Sequence, residues 1–139
     1  MRLPVSAANK LTYTTTIPIR WGDMDPMGHV NNTLYFRYME IVRLEWLYSI
    51  GAAPQPQGCA PVIVNAYCNF LQQLQYPGDI VAKHYVGHAG RSSFDTYMTL
   101  ERSDARGLVY ADGGATTVWT DLKAQKSVPI PDWLRALLG

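Results

Sequence analysis

Between residues 31 and 51 the chain can form little other than one long helix. Tyr35, Tyr38, Met39, Val42, Trp46 and Ile50 recur at spacings of three and four, which makes one stripe of an α-helix. Asn31 or Asn32 supplies the N-cap and Gly51 the C-terminal stop. The opposite side still carries Phe36, Ile41, Leu44 and Leu47, so the helix is expected to be buried on most sides. Arg37, Glu40 and Arg43, three apart, can pair locally. The remaining segments up to residue 121 read mainly as strands, so a sheet has to wrap around this helix.

The strand pattern follows from period-two alternation and from turn residues. Residues 12–21 are rich in Thr, Tyr and Ile, and Pro18 argues that this strand is at an edge or begins late. Asp23 to Gly28 has turn chemistry. After a Pro/Gln/Gly loop over 53–58, strands are expected over 62–71, 80–87, 94–101 and 108–121. The turns between them are marked by Pro77-Gly78-Asp79, Ala89-Gly90-Arg91 and residues 103–107. Residues 131–138 read as a short helix with Pro in its first turn. The expected architecture is α+β: an antiparallel five-stranded sheet around one long central helix, with a short C-terminal helix. It forms a single domain over 12–139, preceded by a loose arm over 1–11.

Composition narrows the function classes. With 139 residues, 47% apolar and 17% charged, the chain reads as one globular domain. A net charge of +1 provides no field to steer nucleic acid or an acidic membrane surface, although a local basic patch for one phosphate remains possible. Cys59 and Cys68 have no metal-type spacing and read as reduced thiols of a cytoplasmic protein. No apolar signal core and no run of 18 apolar residues is present, so neither export nor a membrane span is expected.

The chemistry concentrates just ahead of the helix, in Asp23-Met24-Asp25-Pro26-Met27-Gly28-His29-Val30-Asn31-Asn32. A carboxylate here can serve as base or nucleophile, and free N–H groups at the helix start, near Asn32, can polarise a carbonyl and hold an oxyanion. Asp-Pro is also ordinary turn chemistry, so Asp25 has a structural reading as well. Asp23 either caps the turn or raises the pKa of Asp25 by like charge. His29 either orients water or makes a loop hydrogen bond. Asn31 and Asn32 are caps that can also shape a site. Tyr35 and Tyr38 read as core, with one hydroxyl free to face an acyl pocket. Asp23, Asp25 and His29 lack a further His or Cys to complete a metal site, and none is expected. Ser92 and Ser93 sit in no nucleophile elbow.

The segment Asp25-Pro26-Met27-Gly28-His29-Val30-Asn31-Asn32, with Tyr35, Tyr38, Glu40 and Arg43, resembles hotdog-fold acyl-CoA thioesterases of the 4-hydroxybenzoyl-CoA thioesterase type. Tyr76-Pro77-Gly78-Asp79, Gly90-Arg91-Ser92-Ser93-Phe94 and Pro129-Ile130-Pro131 extend the resemblance over residues 12–135. It implies a hotdog fold assembled as a homodimer or homotetramer, with sheets joined edge to edge and sites at the subunit boundary. It places the catalytic acid on Asp25 and the oxyanion donor on the Asn32 N–H, with His29 beside them. It sets the turn of Gly90, Arg91, Ser92 and Ser93 near the nucleotide or pantetheine arm, and Asn31 and Tyr35, from their own places at the helix start, are read as substrate-binding as well. The implied reaction is hydrolysis of an acyl-CoA to the free acid. Coenzyme A enters only as part of the substrate, and no other cofactor is expected. Trp46, Met39, Tyr67 and Met98 are candidate linings of the acyl pocket. The alternatives are hydrolysis of an acyl group on acyl carrier protein, or a binding module without turnover.

Overall fold

A computed structural model describes residues 9–138. Its strands and helices are β1 (Lys10–Pro18), α1 (Asn32–Ser49), β2 (Cys59–Phe70), β3 (Asp79–Ala89), β4 (Ser93–Arg102), β5 (Val109–Asp121), β6 (Lys126–Ser127) and α2 (Asp132–Leu138). The strands form one antiparallel sheet in the order β1-β3-β4-β5-β2, and the short β6 returns onto the end of β5. The five expected strands and both helices are present. β6 is an addition: the turn after Asp121 folds the chain back so that Lys126 and Ser127 pair with Asp121 and Thr120. Residues 1–8 of the expected arm lie outside the described residues, while Lys10 and Leu11 already belong to β1.

β1 ends three residues earlier than its composition suggests. Pro18 is its last residue, Ile19 N–H bonds Gly78 O at 2.9 Å, and residues 21–23 close a tight 3₁₀ turn. Of the two readings of Pro18, the edge holds: β1 is an edge strand. The other edge is β2, which contains no charged residue and exposes Val62, Ile63, Val64 and Phe70.

The stripe of α1 packs as its spacing demands: Tyr35, Tyr38, Met39, Val42 and Trp46 are all at most 3% exposed. They meet Ile17, Ile80, Ala82, Met98, Leu100, Ala111 and Phe94 from the sheet. β5 admits this packing through Gly113, where a Cβ would run into Tyr67 O of β2 and approach Met39 of α1. The helix lies over β1 and β3 and barely reaches β2. The expectation of burial on most sides is met in part: on the opposite side Leu47 is 3% exposed and Ile41 half-buried. Phe36 and Tyr48 stay exposed and Leu44 only half-buried. A cavity of about 490 Å³ opens between Phe36, Arg37, Glu40 and Arg43 of α1 and Ile63, Ala66 and Tyr67 of β2.

Candidate active site

Asp25 sits in a closed hairpin. Met24 and Val30 form a β-bridge, Asp25 N–H bonds His29 O at 2.7 Å, and Gly28 N–H bonds Asp25 O at 3.0 Å. Gly28 holds φ +80°, a conformation open to glycine at no steric cost. The side chain contributes to the turn too: Oδ1 accepts Met27 N–H at 2.9 Å and His29 N–H at 3.2 Å. The other carboxylate oxygen takes no hydrogen bond among the described residues. The structural reading of Asp25 thus holds through one oxygen, while the second stays open toward the cleft.

The helix start lies beside it. Asn31 is the N-cap, its Oδ1 accepting Thr33 N–H at 2.9 Å and Thr33 Oγ1–H at 2.8 Å. Leu34 N–H bonds Asn31 O at 2.9 Å. Of the first three helical N–H groups, only that of Asn32 is left without a partner among the described residues. Asp25, His29, Asn32 and Tyr35 line one open cleft of about 760 Å³. Its remaining walls are Met27, Val30, Phe70, Leu71, Gln72, Gln73 and Gln75. Phe70 packs edge-on against Tyr35 with ring centroids 5.0 Å apart. Residues 70–75 carried no catalytic signature in the sequence, although a glutamine-rich stretch between a strand and a Pro-Gly turn is a visible oddity.

Asp23 adopts the capping role. Its Oδ2 accepts Arg20 N–H at 3.0 Å and the Tyr38 hydroxyl at 2.7 Å. Burial, and then the Asp23 carboxylate, push the Tyr38 phenol well above its ordinary pKa, so it remains a donor. The Tyr35 hydroxyl donates to Gln72 O at 3.3 Å and accepts Leu74 N–H at 3.1 Å, and the residue lines the cleft. Burial raises its pKa as well. The His29 ring lines the cleft and makes no hydrogen bond among the described residues. No group of three His, Cys, Asp or Glu able to hold a metal ion occurs among the described residues.

The Gly90–Ser93 turn is not in this cleft. Ser93 pairs with Val118, whereas Phe70 pairs with Ala111, itself opposite Leu100. Seven residues of β4 separate the two levels, about 23 Å at ~3.3 Å per residue. The turn is nonetheless organised. The carbonyl of Gly90 accepts from the Arg135 guanidinium at 2.8 Å, and that of Arg91 from Arg135 at 3.0 Å and Ile130 N–H at 2.9 Å. The N–H groups of Arg91 and Ser92 take no hydrogen bond among the described residues. Of the candidate acyl linings, Met39, Tyr67 and Met98 border the cavity beside β2, and Trp46 borders a smaller one of about 120 Å³ that shares Glu40, Arg43 and Ile63 with it.

Residues 19–138 match the thioesterase-like superfamily. Among solved structures, the PA2801 protein of Pseudomonas aeruginosa, assigned as a thioesterase, is 35% identical with a TM-score of 0.89, covering 94% of this chain and 100% of that one. A Xanthomonas campestris protein assigned as an acyl-CoA thioesterase is 33% identical with a TM-score of 0.73, over 79% of this chain and 93% of that one. The DHNA-CoA thioesterase of Staphylococcus aureus shares the fold at 20% identity, with a TM-score of 0.79 over 89% and 87% of the two chains.

Proposed function

The chain belongs to the thioesterase-like superfamily, and from that membership we propose that it hydrolyses an acyl-CoA thioester to the free acid and coenzyme A at the Asp25 cleft. The observation that carries this reading is the divided carboxylate of Asp25: among the described residues one oxygen is tied by two N–H groups and the other is open, in the same cleft as Asn32, whose N–H has no partner there. In the general-base route the open oxygen takes a proton from water as the water oxygen adds to the thioester carbon. The carbonyl oxygen, now negative, is held by the Asn32 N–H at the positive end of α1. The C–S bond then breaks, and the thiolate of coenzyme A takes up the proton. In the covalent route the same oxygen attacks the carbon directly, the C–S bond breaks to release the thiolate of coenzyme A, and water cleaves the resulting anhydride to the free acid and the Asp25 carboxyl, whose proton passes to the thiolate. His29, on the wall of the cleft, orients the water or the thioester. Asn31 presents Asn32 by capping the helix.

We further propose that the working unit is a dimer joined through β2. The strand is an unpaired, uncharged edge, and the half of the sheet beside it is left uncovered by its own helix. A two-fold pairing of β2 with β2 sets the Cys59 end of one copy against the Phe70 end of the other. The Gly90–Ser93 turn lies at the Cys59 end of the sheet, so that pairing carries it to the Asp25 end of the partner. There its free N–H groups, the Ser92 and Ser93 hydroxyls and the Arg91 guanidinium suit a phosphate of coenzyme A.

The test is thiol release from short, long and aromatic acyl-CoA esters by wild type and Asp25→Asn. The expected loss in the variant is at least about 100-fold, the usual scale for removing a general base. A soluble, dimeric Asp25→Asn that keeps most of the turnover removes Asp25 from the chemistry. Single turnover in ¹⁸O-water separates the routes, since label entering the Asp25 carboxylate marks the covalent one.

A further inference from the structure

We infer that Tyr35 and Tyr38, one turn apart on α1, are positioning residues that hold the two opposite walls of the cleft and thereby govern different kinetic constants. The inference rests on the Asp25 reading and deepens it.

The first wall is the acid hairpin. The hydroxyl of Tyr38, on a side chain 3% exposed, donates to Asp23 Oδ2 at 2.7 Å. Asp23 is also where the hairpin is tied at both ends. Its carboxylate accepts Arg20 N–H at 3.0 Å and its carbonyl accepts Asn31 N–H at 2.9 Å. Asp23 therefore lies two residues from the carboxylate and bonds the residue just before the oxyanion donor. Tyr38 fastens that junction to the second turn of the helix whose first N–H is the donor. Moving Asp23 changes the spacing between Asp25 and Asn32 N–H, and that spacing matters only once the thioester carbonyl becomes an oxyanion.

The second wall is the glutamine loop. The Tyr35 hydroxyl bridges Gln72 O and Leu74 N–H, while Leu74 O accepts Val30 N–H at 2.8 Å. Leu71, Gln72, Gln73 and Gln75 carry none of the reacting groups and form the side of the cleft across from the acid hairpin. Loosening them weakens binding of ground state and transition state alike.

Tyr38→Phe and Tyr35→Phe keep both rings in the core and remove one oxygen each. In acyl-CoA hydrolysis, Tyr38→Phe is expected to lower kcat about tenfold with KM within twofold, a loss of the size that small misplacements of reacting groups produce. Tyr35→Phe is expected to raise KM about fivefold with kcat within twofold, the scale of one ordinary hydrogen bond. Asp23→Asn, which still offers an acceptor oxygen, should restore most of the kcat that Asp23→Ala loses. Adding Tyr38→Phe to Asp23→Ala should change little further, because Tyr38 acts through Asp23. The inference is overturned if both tyrosine variants lower thermal stability without separating kcat from KM, or if Tyr38→Phe leaves kcat intact. Asp25→Asn, assayed alongside, distinguishes this failure from the other: its loss of turnover keeps the reading of the site while the positioning roles fall.

Discussion

At the scale of single residues, His84 makes stability depend on pH. It is fully buried on β3, its ring stacked on Trp46 with centroids 4.6 Å apart and its Nδ1 2.8 Å from Thr12 Oγ1. Burial first, and the nearby Arg43 guanidinium second, pull its pKa down to about 3. The folded pKa lies below the unfolded value of about 6.5, so the contribution is intact above that pH and is lost progressively as pH falls toward 3. Within that window the folding equilibrium constant should drop up to about tenfold per pH unit from this one residue. Urea unfolding midpoints measured at pH 7, 6, 5 and 4 should show that slope in wild type and a shallower one in His84→Gln, whatever the absolute stability of the variant. Equal slopes would place the acid sensitivity elsewhere. Asp25 was legible at this scale because Asp-Pro-x-Gly ahead of a capped helix is a local pattern. The hydroxyl of Tyr38 was not, since its partner lies fifteen residues back and nothing in a helical stripe separates a buried tyrosine with a partner from one that only fills space.

At the scale of elements, α1 was readable almost to its ends because its apolar period, its asparagine cap and Gly51 agree with one another. Asn31, rather than Asn32, is the cap, and this frees the Asn32 N–H. Asn31→Ala should cost about 1 kcal/mol of stability, the usual value of a side-chain cap, and should lower kcat as the first turn frays. Asn31→Ser should recover most of both, as read by urea denaturation and thiol release on the same samples. The strands were legible from alternation, their ends less so. β1 stops at Pro18 because Ile19 turns to bond Gly78, a contact made across sixty residues of chain that no local propensity encodes. The wall formed by Phe70 and Gln72 escaped notice for the same reason: its place beside Asp25 is set by Tyr35 and Leu74 and not by any motif of its own.

At the scale of the whole molecule, the helix is displaced toward β1 and β3, and its β2-side flank opens onto cavities. The sequence pattern that called for burial on most sides is met along the sheet-facing stripe and at Leu47, and the part left open is the flank at Phe36 and Leu44. Val64, 58% exposed, sits where the β2–β5 register shifts, so a lysine there adds charge to the free edge without disturbing the existing ladder. Wild type should sediment as a dimer at micromolar concentration. Val64→Lys should shift toward monomer and lose activity in step, and a wild-type monomer that hydrolyses thioesters would remove the second copy from the site. The same strand also has a history during synthesis. Among the described residues β2 pairs only with β5, whose Ala111 meets Phe70, and forty-one residues separate those two positions. At translation speeds of about 5–20 residues per second, both edges of an uncharged, valine- and isoleucine-containing segment stay bare on the ribosome for roughly 2–8 seconds. That interval, more than the finished fold, is when this chain is most exposed to pairing with the wrong strand.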